Sequence, residues 1–140
     1  MGANGYNCHL HYRTDQIKHA KFNGVIELSL GDKQKKFTRL ICNLLDFIHS
    51  RGYEVTFGDA FRDPRVHGNT GEKKSYGHRN SCHKLRLAID LNLFKDGIYL
   101  TTDKDHEPFG LYWETLDPEC RWGGKFNDGN HYSIEHNGSK

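Results

Sequence analysis

The chain has no apolar run approaching the length of a membrane span, no block of like charges, no internal repeat, no low-complexity tract and no C-x-x-C pair. Each absence excludes something. A spanning helix needs about 20 consecutive apolar residues, so membrane insertion is not expected. The formal charge of +2 is spread along the chain, and without a basic run there is no electrostatic footprint for a nucleic-acid partner. The cysteines Cys8, Cys42, Cys82 and Cys120 stand far apart, and Cys42 falls in an evident helix. A disulfide framework or zinc ribbon is therefore not expected, and the four read as reduced thiols. The N-terminus lacks the basic-then-apolar pattern of a secretory signal, which points to synthesis in the cytoplasm.

What is present suffices for one domain, because 140 residues can bury a core without disulfides or a structural metal. Residues 1–24, with Gly2, Gly5, Gly24 and scattered histidines, read as an N-terminal arm with at most one short element. Residues 25–140 read as the domain proper. Phe37, Leu40, Ile41, Leu44, Leu45 and Ile48 form one stripe at helical spacing, between a capping signal at Ser29 and Asp32 and a stop at Gly52. Tyr53 to Phe61 alternates and is expected to be the first core strand, with Val55, Phe57 and Ala60 inward, ending at Arg62-Asp63-Pro64. Residues 65–80 are rich in Gly, Lys, Asn and Ser and read as a long surface loop of the kind that borders sites.

Leu87 to Phe94 alternates with period two, which places Leu87, Ile89, Leu91 and Leu93 on one face and Asp90 and Asn92 on the other. Asp96-Gly97 signals a two-residue hairpin with Ile98-Tyr99-Leu100 as the return strand. Pro108 marks a helix start, with Phe109, Tyr112, Trp113 and Leu116 on one face and a stop before Pro118. Trp122-Gly123-Gly124 turns the chain, with Trp122 capping the core or walling a groove. His131 to Glu135 is a last short strand. The expectation is an α+β fold: a single compact domain, monomeric, with a small, mainly antiparallel sheet that carries the site on one face and packs helices on the other.

Asp90 is the residue that asks for an explanation. A carboxylate screened from water needs a proton, a basic partner or a metal ion. The chain has 10 histidines, so spacing rather than presence carries the signal, and His83 and His131 stand in short segments with Ser81-Cys82 and Asp128-Gly129-Asn130. Two histidines and an aspartate supply the three protein ligands of a catalytic zinc, which leaves one position for water. An extended chain would part His83 from Asp90 by roughly 23 Å, so Lys84 to Leu87 must turn. Asp128 lies three residues before His131 across a pair suited to a tight bend, which places a carboxylate beside the metal as a proton acceptor for amide hydrolysis. Cys82 points away from its neighbour His83 in an extended segment and is expected to be an inert thiol. Arg62 at a strand end reads most simply as an ion-pair partner of Asp59 or Asp63. Cys8-His9-Leu10-His11 is taken as an accidental cluster.

Ser81-x-His83-x(6)-Asp90 with Ala88 two residues before the aspartate, followed by Trp122-Gly123-Gly124 and Asp128-x-x-His131, resembles the D-alanyl-D-alanine carboxypeptidase and L-alanyl-D-glutamate endopeptidase family of zinc peptidases. The likeness is to its short, phage endolysin-type branch. It begins with the helix near residue 33 and takes in Gly52 to Val55 and Phe61-Arg62. The resemblance implies that His83, Asp90 and His131 hold zinc, that Asp128 is the general base, and that Arg62 binds substrate and stabilises the oxyanion. It also implies a substrate hydrogen bond from Ser81. The chain departs from the pattern at Arg86, where many relatives have glycine, and at Asp128, where many have glutamate. The implied activity is hydrolysis of an amide bond in bacterial peptidoglycan stem peptides, between L-alanine and D-glutamate, with cleavage of terminal D-alanyl-D-alanine as the close alternative. Such an enzyme is made in the host cytoplasm and reaches the cell wall after release or export. A metal-dependent nuclease and a non-catalytic zinc-binding module are the readings from other classes; the wide separation of the histidine segments disfavours the first, and the presence of Asp128 disfavours the second.

Overall fold

The computed structural model describes residues 20–22 and 25–139, with side chains from residue 28 onward. Two short strands, β1 (Ala20–Phe22) and β2 (Val25–Glu27), form an antiparallel hairpin of their own, which straddles the boundary expected at residue 24. Cys8-His9-Leu10-His11 lies outside the described residues.

Helix α1 (Leu30–Ser50) follows its sequence signals closely. The Ser29 hydroxyl accepts from Asp32 N–H at 3.2 Å and donates to the Asp32 carboxylate at 2.6 Å. At the other end Gly52 adopts φ +74°, while Gly52 N–H donates to His49 O and Tyr53 N–H to Ile48 O. This paired closure of a helix C-terminus requires the left-handed backbone that glycine adopts without strain. The stripe Phe37, Ile41, Leu44 and Ile48 is buried.

The five-stranded sheet has the order β3 (Glu54–Phe57), β4 (Ala88–Lys95), β7 (His131–Ile134), β6 (Cys120–Trp122), with β5 (Ile98–Leu100) also paired to β4. Every pairing is antiparallel. The fold is α+β. The β4–β5 turn uses Asp96 and Gly97 at φ +51° and +77°, the double left-handed turn that matches strand twist. Ile89, Leu91 and Leu93 of β4 and Tyr132 and Ile134 of β7 share one face and join the side chains of α1 and of α3 (Asp103–Leu116) in the core. Trp113 meets Phe37 and Tyr132 edge-on, and its indole N–H is shared between Ser133 O at 3.0 Å and Arg121 O at 3.1 Å. One side chain thus ties helix to sheet.

Two expectations are corrected. The strand after α1 ends at Phe57, lies at the sheet edge, and leaves Phe57 63% exposed and Ala60 exposed. Only Val55 of the three turns toward the core. Alternation set the face correctly, but burial on that face needs a covering element, and none among the described residues buries Phe57. Helix α3 begins at Asp103 rather than Pro108, because Thr102 and Asp105 form a reciprocal capping box. Pro108 falls inside the helix, where its ring forgoes one backbone hydrogen bond. Residues 65–80 hold the short helix α2 (Pro64–His67) and otherwise form the expected loop. No helix among the described residues is long and apolar enough to cross a membrane.

Candidate metal centre

A turn of 3-10 helix over Cys82–Leu85 and a reversal at Arg86 bring His83 back to Asp90. Ser81 caps the turn, accepting from His83 N–H at 3.3 Å. Arg86 takes φ +55° and ψ +38°, a conformation that costs a non-glycine residue about 1–2 kcal/mol. Leu87 N–H to Cys82 O at 3.0 Å closes the reversal, and the Arg86 guanidinium lies 3.9 Å from the Phe61 ring centroid, a cation–π contact that offsets part of that strain. The left-handed backbone at Arg86 is thereby accommodated. β4 then starts at Ala88, and its register against β7 sets Asp90 directly opposite His131.

His83 Nε2 lies 3.1 Å from His131 Nδ1 and 3.2 Å from Asp90 Oδ1, and His131 Nδ1 lies 3.1 Å from the same oxygen. Both histidines are buried, and Asp90 is half-buried. A proton on one imidazole satisfies one or two of these contacts, whereas a single cation satisfies all three at once. The three residues can hold a metal ion. Burial would raise the Asp90 carboxyl, but hydrogen bonds and charge from His131 and His83 overcome it and hold the group well below the usual carboxylate range. It stays ionised, as a ligand must. The remaining ring nitrogens, His83 Nδ1 and His131 Nε2, are buried without hydrogen-bond partners among the described residues. Packing and the cluster itself orient these rings, without the outer hydrogen bonds that commonly support ligating histidines.

His131 also lines a cavity of about 650 Å³ together with Arg62, His78, Ser81, Lys125 and Asp128. Asp128 is exposed to it. The turn through Gly129 and Asn130 is closed by His131 N–H to Asp128 O at 3.0 Å. Trp122-Gly123-Gly124 explains how that turn is seated. A Cβ on Gly123 would lie 2.1 Å from Asp128 O and 2.8 Å from His131 Cβ, and one on Gly124 would meet the Trp122 ring at 2.1 Å. Trp122 is buried, and its indole N–H donates to Gly129 O at 2.7 Å. It both closes the core and steadies the turn.

Arg62 and Ser81 meet each other, with Arg62 Nη1 donating to Ser81 Oγ at 3.0 Å. The expected ion pair is present too, from Arg62 Nε to Asp59 at 3.1 Å, while Asp63 pairs with Arg65 instead. Tyr76 adds its ring beneath the guanidinium and its hydroxyl to the Asp59 carboxylate. Cys82 is fully buried, burial pushes its thiol up to about 12, and it stands outside the ligand cluster.

Lys84 was not singled out by the sequence. It is buried, and its ammonium donates to Asn69 O, Glu72 O and Arg79 O at 3.1, 2.7 and 3.2 Å. These contacts fasten the loop that carries Tyr76 and His78 beside the cavity, and a lone lysine next to a candidate ligand offers no signal of that task. The chain matches no family model and no curated protein.

Proposed function

We propose that the chain is a zinc peptidase hydrolysing an amide bond in bacterial peptidoglycan stem peptides, with the L-alanyl-D-glutamate bond as the favoured target. One observation carries the reading: His83 Nε2, Asp90 Oδ1 and His131 Nδ1 converge to 3.1–3.2 Å, and His131 lines a cavity that Arg62, Ser81 and Asp128 also line. Zinc–nitrogen and zinc–oxygen distances of about 2.0–2.2 Å at a tetrahedral angle separate donor atoms by roughly 3.3–3.5 Å. The donors here need to part by only a few tenths of an ångström. Zinc held by these residues supplies Lewis acidity and an acidified water.

The chain's own groups then divide the work. Asp128 takes the proton of the attacking water and passes it to the leaving amine. Support for that role is that Asp128 lines the same cavity as His131 and is joined to it by a tight turn, with His131 N–H donating to Asp128 O at 3.0 Å. Arg62 keeps a fixed charge, and its contacts with Asp59 and Ser81 engage two of its five N–H groups. The others serve a substrate carboxylate or the developing oxyanion. Ser81, already joined to Arg62 and to His83 N–H, sets where that guanidinium sits.

Purified peptidoglycan incubated with the protein, with and without a chelator, tests the reading when new termini are identified by mass spectrometry. A new amino terminus on D-glutamate, lost with the chelator, is expected; a chelator-insensitive product would refute the metal. Asp128→Ala is expected to keep its zinc and lose wall lysis by 10²-fold or more. Retained lysis would exclude Asp128 as the base and favour another mechanism.

A further inference from the structure

The turn that carries Asp128 and His131 is gripped from behind. Gly129 N–H donates to Asp103 Oδ1 at 2.8 Å, across 26 positions of sequence, and Gly129 O accepts from Trp122 Nε1 at 2.7 Å. The same peptide segment is held on either side by Asp128 N–H to Gly123 O at 3.1 Å and Leu91 N–H to Asn130 O at 2.9 Å. No side chain fits at position 129, where a Cβ would lie 2.6 Å from both Asp103 Cα and Asp103 Oδ1.

The turn stands between the larger cavity and a second one of about 230 Å³, lined by Thr102, Asp103, His106 and Asn127 as well as by residues 128–130. Gly129 itself is buried between them, and the hydrogen bonds fix the direction of its peptide. Asp103 is also spare for helix capping: the N-terminus of α3 is closed by Thr102 and Asp105, whose side chains satisfy each other's backbone N–H groups. The Asp103 carboxylate, half-buried in the first turn, has the Gly129 amide as its partner. Bonds from a backbone N–H to a carboxylate are short and strong, and they fix direction as well as distance.

We propose that Asp103 is a positioning residue, whose carboxylate holds the Gly129 amide and so sets where Asp128 presents its own carboxylate to the larger cavity. The catalytic consequence rests on the peptidase reading above; the clamp itself rests on geometry alone. Displacement of a catalytic group by about 1 Å costs up to 10²-fold in rate, which gives the scale expected on losing the clamp.

The test uses the full-length, zinc-loaded protein and compares Asp103→Ala with Asp103→Asn, whose amide oxygen still accepts from Gly129 N–H. Five quantities are measured: amide hydrogen exchange at Gly129 and Leu91 by NMR, zinc affinity, thermal stability, and kcat and KM on a soluble stem-peptide fragment. In the alanine variant, Gly129 exchange is expected to accelerate at least about tenfold with Leu91 unchanged, and kcat to fall roughly 10- to 100-fold. KM and zinc affinity are expected to stay within about twofold. The asparagine variant should recover most of the kcat. Unchanged Gly129 exchange in Asp103→Ala overturns the clamp. Faster exchange with unchanged kcat, or equal losses of stability and zinc in both variants, overturns the positioning role. Wild-type protein that cleaves no stem peptide refutes the peptidase reading instead, and the exchange measurement then judges the clamp on its own.

Discussion

Gly123→Ala adds one methyl group, and the structure says where it must go. The Cβ would stand 2.1 Å from Asp128 O, where contacts under 3.0 Å are essentially never seen, and 2.8 Å from His131 Cβ. The opposing oxygen is backbone, so it cannot swing aside as a flexible side chain would. Either Gly123 or the turn that bears Asp128 must retreat by close to 1 Å. Overpacking of this kind costs about 1–3 kcal/mol of stability, which for a domain of this size lowers Tm by roughly 4–12 °C. A 1 Å displacement of an acid–base group costs on the order of 10²-fold in rate, equivalent to about 2.7 kcal/mol of transition-state stabilisation. Zinc affinity, read by competition with a chromogenic chelator, should fall as well, because the added methyl group presses directly on His131 Cβ at 2.8 Å. Gly31→Ala is the control. Its Cβ meets nothing closer than Ser29 Oγ at 4.0 Å, and in a helix the change should be neutral or stabilising by up to about 1 kcal/mol. If Gly123→Ala matched wild type in Tm, zinc affinity and lysis, the close approach of Gly123 to the Asp128 turn would play no part in holding the site.

Lys84→Met removes a buried ammonium from three carbonyl oxygens and should destabilise the fold by about 1–3 kcal/mol; limited proteolysis should cut residues 65–80 faster, and an unchanged cleavage rate would count against the fastening role. Burial holds the His106 imidazole below its ordinary pKa of 6.5, and in the neutral ring Nδ1 accepts a hydrogen bond from the buried Tyr132 hydroxyl at 3.0 Å. Because the folded pKa is depressed, the neutral ring's contribution is fully present above pH 6.5 and is lost as pH falls through that value toward the folded pKa. Urea midpoints should therefore drop between pH 7.5 and 5.5, and His106→Gln should flatten part of that drop; a slope identical to wild type would assign it to other groups.

Much of this architecture is local and therefore legible along the chain. The Ser29 cap, the Phe37–Ile48 stripe and Gly52 define α1 within their own span, and Asp96-Gly97 defines its hairpin. The period-two pattern around Asp90 assigns faces correctly, and the histidines it called for do converge on it. Other features escaped because their partners lie elsewhere in the chain. Phe57 sits on the expected face yet is exposed, since whether a helix covers an edge strand is not written in the strand. The start of α3 is written locally in Thr102 and Asp105, whose capping box sets the helix N-terminus five residues ahead of Pro108.

By itself, the sequence determined which residues alternate, cap and turn, and it singled out His83, Asp90 and His131 as a candidate ligand set by their spacing. Those properties follow from backbone sterics and side-chain periodicity acting over a few neighbours. Only the tertiary structure decided that the three donor atoms lie 3.1–3.2 Å apart, that Arg62 leans on Ser81 and Asp59, and that Asp103, Trp122 and Gly123 grip the Asp128 turn. Strand register and helix docking set those distances, and both depend on burying the shared core of α1, α3 and the sheet rather than on any one segment.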